Sequence, residues 1–380
     1  MVNIIYRHYK EGDETNLADL FNLAFQQAGG MVRTPKNWYW RFVKSPGFEP
    51  DMCQIAEDTD KKKVVGAIQV NLVELIPIGQ KKYWMGEIND VATLPEYAKM
   101  GIATKLMKMS IEYMEQKGCD FSILSTGFKG LARTKLYQKF GYYDTQREMF
   151  FIQIPNLFQL IRNVCAFAII FPVFFAISYF PRFLNRIRIK FNHFFKDFSY
   201  EINHNKEHFE YMRAINKIMP KYYEGYPEYD KVKFIWARIK VPARRQKPTY
   251  IIIKKGGKII GGSVITHQNV YAFKYGIKIR LGIIHEIFLE KNIFINSKNL
   301  HLGYIYLIDK IMKAATRRSL GVVLYNSNIK DKDLNQAFKG MNFLRVRSDV
   351  IMIKELKKNL RFPHIKKPLF IPSYLTIGFP

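Results

Sequence analysis

The chain repeats itself, and the repeat constrains its fold more than any other feature. "WRFVKSP" begins at Trp40 and "WARIKVP" at Trp236, both reading Trp-x-x-x-Lys-x-Pro. "VVGAIQV" begins at Val64 and "IIGGSVI" at Ile259; each has two β-branched residues, a Gly, a small residue and a β-branched seventh. "FGYYDTQREMFFI" at Phe140 parallels "MNFLRVRSDVIMI" at Met341. The offsets are 196, 195 and 201 residues, collinear and nearly constant. Each match is weak alone; in this order they predict two copies of one fold. A length of 380 residues accommodates two or three domains, and 48% hydrophobic residues supply their cores.

The first copy reads as a mixed α/β unit. "NIIYRHY" predicts a strand and "DETNLADLFNLAFQQ" a helix with Asp13 as N-cap. "PKNWYWRFVKS" predicts a second helix with Pro35 in its first turn. "DMCQIAED" and "KVVGAIQVNLVELI" predict a hairpin, and "YWMGEINDVATL" (83–94) a further strand. In "ATKLMKMSIEYMEQKG" (103–118), Ile102, Leu106, Met109, Ile111 and Met114 fall near helical spacing, and Gly118 marks the stop. The strand "CDFSILST" and the short helix "LARTKLYQKFGY" follow.

Between strand and helix lies "PEYAKMGIATKL" (95–106), a loop that brings Gly101 and Ala103 to a helix start. The first N–H groups of a helix lack intrahelical partners and carry partial positive charge, so small residues there admit a phosphate. The plainer reading is that they only permit close packing. The order strand, loop, helix, strand, helix resembles the core of the GNAT superfamily of N-acetyltransferases. That family's loop reads Arg/Gln-x-x-Gly-x-Gly/Ala, usually after Pro-Glu-Tyr. Pro95, Glu96, Tyr97, Gly101 and Ala103 match it, whereas Ala98 departs from it. The family's "LYxKxGF"-like helix is matched by Leu136, Tyr137, Lys139, Gly141 and Tyr142, while Gly130 stands where an Asn is often found. The resemblance covers residues 3 to 154.

The resemblance implies an α/β fold, an α+β mixed sheet in two GNAT-like domains joined by an apolar, basic-flanked segment. It implies acetyl-CoA as co-substrate and an amine as acceptor. Main-chain N–H groups of Met100, Gly101, Ile102 and Ala103 would hold the pyrophosphate. The strand end at Val91, Ala92 and Thr93 would pair with the amide-rich pantetheine arm. Tyr137 would protonate the leaving thiolate. Glu87 and Asp90 lie where a base or water relay would take the amine proton, with Glu87 ranked first. Regular alternation puts Glu87, Asn89 and Val91 on one strand face and Ile88 and Asp90 on the other; a bulge would swap them.

The second copy lacks this equipment. Its loop position reads "EKNIFINSKNLHLGYIYLIDKIM", with no Gly-x-Gly/Ala entering the helix, and Phe338 stands opposite Tyr137. The domains are therefore 1–155 (catalytic), 156–200 (linker), 201–357 (degenerate copy) and 358–380 (irregular tail).

Cys53, Cys119 and Cys165 form no CxxC pair, which argues against structural zinc and a disulfide framework, so no metal is expected. With no apolar signal core at the N-terminus, the reading is cytoplasmic, or peripheral at the inner face of the cell membrane. A net charge of +28 suits coenzyme phosphates, nucleic acid or anionic lipid headgroups, or marks only a solvated basic surface; no known RNA-binding motif is present, so nucleic acid is not expected as a partner. Residues 163–181, "NVCAFAIIFPVFFAISYFP", carry no charge, and the basic, aromatic "RFLNRIRIKFNHFFK" follows. Three readings stand for this stretch: a membrane-surface or re-entrant hairpin, a buried helical hairpin between domains, and a true span, against which Pro172 counts as an interruption. The functional expectation is an acyl-CoA-dependent N-acyltransferase, acetyl in particular. Its alternatives are a tRNA-dependent aminoacyltransferase acting on a cell-wall precursor and a non-catalytic membrane-associated binding protein.

Overall fold

The computed structural model describes residues 2–25, 33–158, 161, 169, 171–204, 208–240, 242, 248–272 and 277–370. The chain forms two compact units, and they do not follow the linear copies. The first comprises Met1–Arg147, Glu224–Ala237 and Asp349–Pro380; the second comprises Glu148–Tyr223 and Arg238–Ser348.

In the first unit the strands are β1 (Ile4–His8), β2 (Cys53–Asp58), β3 (Lys63–Ile78), β4 (Lys81–Thr93) and β5 (Phe121–Gly127). β1 to β4 pair antiparallel in sequence order, β4 pairs parallel with β5, and β5 pairs antiparallel with Asp349–Glu355 of β12 (Leu344–Glu355). β12 is apolar on both faces. Val350 and Met352 join one core, and Ile351 and Ile353 another, as a strand covered on both sides requires. Helices α1 (Glu14–Phe25), α2 (Pro35–Arg41), α3 (Ile102–Gln116) and α4 (Leu131–Lys135) complete the unit, with α3 packed on β2, β3 and β4. Two glycines set that packing. A Cβ on Gly66 would lie 2.8 Å from Ile102 Cγ2, and one on Gly86 2.3 Å from Met114 Sδ. Each lets one end of α3 approach the sheet closely.

The second unit repeats the plan. Strands β7 (Phe198–Asn203), β8 (Thr249–Lys255), β9 (Lys258–Ala272) and β10 (Ile277–Leu289) pair antiparallel in order. β10 is parallel to β11 (Val322–Asn328), and β11 pairs antiparallel with Glu148–Gln153 of β6 (Tyr143–Gln153). Each unit thus takes its last strand from the opposite copy of the repeat. Helices α5 (Phe171–Lys190), α6 (Phe209–Tyr222), α8 (Ser297–Arg317) and α9 (Lys332–Gly340) belong to this unit, and α7 (Lys231–Phe234) to the first.

Some local expectations change. Asp13 sits at the N-cap position, where its carbonyl accepts from Leu17 N at 2.9 Å. Its carboxylate, however, accepts from Arg7 at 2.7 and 2.8 Å and from Lys10 N at 2.7 Å, so its oxygens are engaged outside the helix by a charged donor and a backbone N–H. Of the run 163–181, residues 163–168 and 170 lie outside the described residues. Pro172 does not interrupt the rest: it is the second residue of α5, where its missing N–H costs nothing. Among the described residues no helix is long and apolar enough to cross a membrane. The described part of the tail, residues 358–370, is irregular and belongs to the first unit, where Ile365 and Leu369 are buried beside Ile76 and Met85.

Candidate active site

The site begins where two parallel strands part. β4 and β5 pair only at Met85↔Phe121, Gly86↔Ser122 and Glu87↔Ile123. Beyond these, β4 runs on to Thr93 and β5 to Gly127 without pairing. The β4 edge from Ile88 to Thr93, which includes Val91, Ala92 and Thr93, therefore has no pairing with β5 on that side. Glu87, 5% exposed, is the last paired residue, at the apex of the opening.

Just past the apex β4 bulges. Ala67 faces Ala92 and Gln69 faces Asn89, so Asp90 and Val91 together oppose one residue of β3. Asp90 has φ +45°, left-handed backbone that few L residues adopt. The bulge breaks the alternation expected of a regular strand, for Arg41 reaches both Asn89 Oδ1 (3.3 Å) and Asp90 Oδ2 (3.1 Å). Arg33 donates to the other oxygen, Asp90 Oδ1, at 2.6 Å. Burial pulls the Arg41 guanidinium below its usual value, and Asp90 and Glu87 pull it back. With both oxygens committed to guanidinium groups, Asp90 holds the bulge; it is poorly placed to accept a proton from an amine. Sequence reading missed Arg33 and Arg41. Arg41 follows Trp40 in the repeated segment, but the second copy has Ala237 at that place; Arg238, one position further on, pairs with Glu286 of β10 at 2.6 Å.

After β4 the chain makes a turn at Pro95–Tyr97, fixed by the Tyr97 hydroxyl donating to Asp58 at 2.6 Å. Lys99 and Gly101 follow with φ +66° and +80°. Gly101 is the N-cap of α3 and offers no side chain to its N–H groups. A Cβ there would meet nothing within 4 Å, so the backbone angle, and not crowding, calls for glycine. Residues 98–101 are exposed while Ile102 anchors the helix in the core. The second copy contrasts at the same point: Asn296 caps α8, its side chain accepting from Asn299 N at 2.8 Å. One helix start is open to an anion and the other is closed by its own side chain.

Tyr137 lies in a 3₁₀ turn, Tyr137–Phe140, rather than in the regular helix expected, because α4 ends at Lys135 and Gly141 (φ +84°) closes the turn. The residue is buried in the same core as Ile88, Ala92 and Ile102. Burial pushes its phenol up, so it stays protonated at ordinary pH. Tyr142 packs at 6.2 Å and shares a 2.7 Å hydrogen bond with Ser122. Phe338 stacks on Phe151 and Tyr325 with centroids 5.1 and 5.0 Å away.

Residues 5–144 match the family model for the acetyltransferase (GNAT) domain. The N-terminal domain thus belongs to the GNAT superfamily of acyltransferases. Solved structures share the fold at low identity. N-myristoyltransferase from Saccharomyces cerevisiae with bound myristoyl-CoA gives a TM-score of 0.68 at 12% identity, covering 93% of this chain and 79% of that one. A GCN5-related N-acetyltransferase from Sphaerobacter thermophilus gives 0.58 at 11%, covering 94% and 98%. Another from Anabaena variabilis gives 0.56 at 14%, covering 93% and 73%. No curated protein matches in sequence.

Proposed function

We infer that the first copy is the working site of an acyl-CoA-dependent N-acyltransferase, with acetyl-CoA as co-substrate and a primary amine as acceptor. The observation that carries this reading is the helix start beside the parting strands: glycine-started and without a side-chain cap in the first copy, capped by Asn296 in the second, whose strands β10 and β11 part in the same way. An acyl-CoA supplies the acyl group as a thioester, already activated toward an amine. N–H groups of Met100, Gly101, Ile102 and Ala103 hold its pyrophosphate, and the β4 edge at Val91, Ala92 and Thr93 pairs with its pantetheine amides. As the amine nitrogen bonds to the carbonyl carbon and the carbon–sulfur bond breaks, Glu87 takes the amine proton, directly or through water. The Tyr137 phenol gives its proton to the departing sulfur. Asp90 with Arg33 and Arg41 fixes the bulge that aims the β4 edge. A position at the inner face of the cell membrane belongs to the same reading.

Calorimetric titration tests it. Acetyl-CoA should bind with a Kd of about 1 µM or tighter. Myristoyl-CoA, titrated in parallel, reports the acyl length the site accepts. Preference for charged tRNA would replace this reading with aminoacyl transfer, and binding of none of these with a non-catalytic role. Gly101→Asp adds bulk and negative charge at the helix start, so affinity should fall at least about tenfold, roughly 1.4 kcal/mol. Unchanged affinity in a folded variant removes the loop assignment.

A further inference from the structure

Helix α5 has two unlike faces. One packs into the second unit: Arg182, Asn185 and Ile189 are buried, Asn185 Nδ2 donates to Gly340 O at 3.3 Å, and Arg186 donates to Asp309 at 2.9 Å. The other presents Val173, Phe180, Phe183, Leu184 and Ile187 to solvent, continued by Phe191 just past the helix end, Phe183 57% and Phe191 81% exposed. At about 100° of turn per residue these six fall within an arc of roughly 100°. Arg188 borders one edge of the arc and Lys190 the other, both exposed. Residues 171–196 contain five Lys or Arg and no Asp or Glu. Beside Lys190 opens a pocket of about 360 Å³ into which Arg186, Lys190, Lys196 and Lys310 converge. Asp309 is its one acid, and Arg186 and Lys310 already pair with it.

We propose that this face docks on an anionic phospholipid bilayer, with the aromatic stripe in the headgroup–acyl boundary and a lipid phosphate in the four-cation pocket. Two observations favour a bilayer over a protein partner. A stripe of large apolar side chains with cations on both edges matches an interface that is apolar below and anionic above. The pocket's charge is also unbalanced in the sense a lipid phosphate would correct. This surface supplies the membrane contact of the proposed function, yet its test needs no acyl transfer, so a failed flotation and a failed transfer are separate results.

The purified full chain is floated with vesicles of phosphatidylcholine alone and of phosphatidylcholine with about 30% phosphatidylglycerol. Binding is expected to the second and at least about tenfold weaker to the first. Lys190→Glu and Lys196→Glu should each weaken it at least about fivefold. Phe180→Glu with Phe183→Glu should weaken it at least about tenfold without lowering the melting temperature, since both side chains are exposed. Phe183→Trp gives an independent readout: its emission should be quenched by vesicles carrying brominated acyl chains. Absence of binding to anionic vesicles, equal binding to both compositions, or unquenched Trp emission would each overturn the proposal. So would a concentration-dependent dimer, without vesicle binding, that Phe183→Glu dissolves; that result would assign the stripe to a second copy of the chain.

Discussion

At the scale of single residues, the difference between the copies rests on one oxygen and one side chain. Tyr137 and Phe338 hold equivalent places in the repeat, and both are buried. A packing role needs only the ring, and Phe338 fills it, stacked on Phe151 and Tyr325 and edge-on to Phe343. The hydroxyl of Tyr137 therefore calls for another explanation, and proton donation supplies one. Tyr137→Phe keeps the ring, so coenzyme affinity should change by less than about threefold while turnover falls at least about tenfold. Full turnover with the true acceptor would make Tyr137 a packing residue. Phe338→Tyr should leave turnover per folded molecule unchanged. It should still destabilise the second unit by about 1–3 kcal/mol, because a hydroxyl would be buried among aromatic rings. A strong change in turnover would mean that the catalytic copy has been misassigned.

At the scale of elements, the decisive feature is the bulge in β4. A positive φ at a non-glycine residue is costly and persists only where surroundings enforce it. Here two guanidinium groups do so, one of them 5% exposed. Asp90→Ala would leave Arg41 buried without that partner and should cost about 3 kcal/mol, visible as a drop of roughly 10 °C in Tm. A wild-type melt for this variant would show that the bulge does not depend on the ion pairs. Elements of the second unit also carry a pH dependence. Burial lowers His267 of β9 from 6.5 to about 4 and His285 of β10 well below 6.5. Both rings are neutral in the fold and take up protons more readily when unfolded. Their contribution is whole above pH 6.5 and is lost as pH falls from there toward about 4. Tm should decline across that window, and replacing both histidines by glutamine should flatten the decline. An equally steep decline in the double variant would assign it to other groups.

At the scale of the whole molecule, the exchange of last strands makes folding a property of the full chain. A fragment 1–155 carries β1 to β5 but lacks Asp349–Glu355, whose Val350, Ile351, Met352 and Ile353 are all buried. Such a fragment should fail to melt cooperatively when followed by circular dichroism. A sharp transition in the isolated fragment would show that β12 is dispensable to the first unit. The repeat itself and the glycine-started helix of the first copy, with no counterpart in the second, were legible beforehand. The matching segments are local in sequence, and a helix start is encoded within a few residues.

Other features were not legible because they join residues far apart in the chain. Arg33 and Arg41 meet Asp90 across 57 and 49 residues, and no spacing rule links them. The place of the bulge follows from the register between β3 and β4, and the parting of β4 from β5 follows from where their pairing stops. In α5 the sequence displayed an apolar, basic segment, but only packing against the second unit decided which residues were covered and which six were left in a stripe. The sequence by itself determined the duplicated plan, the glycine-started helix and the loss of both loop and phenol in the second copy, because backbone conformation and side-chain chemistry at those points are local. The tertiary structure alone decided that Asp90 is tied to two guanidinium groups and which strand completes each sheet. Ion pairing and strand register depend on contacts between distant segments, and the same local pattern is compatible with several of them.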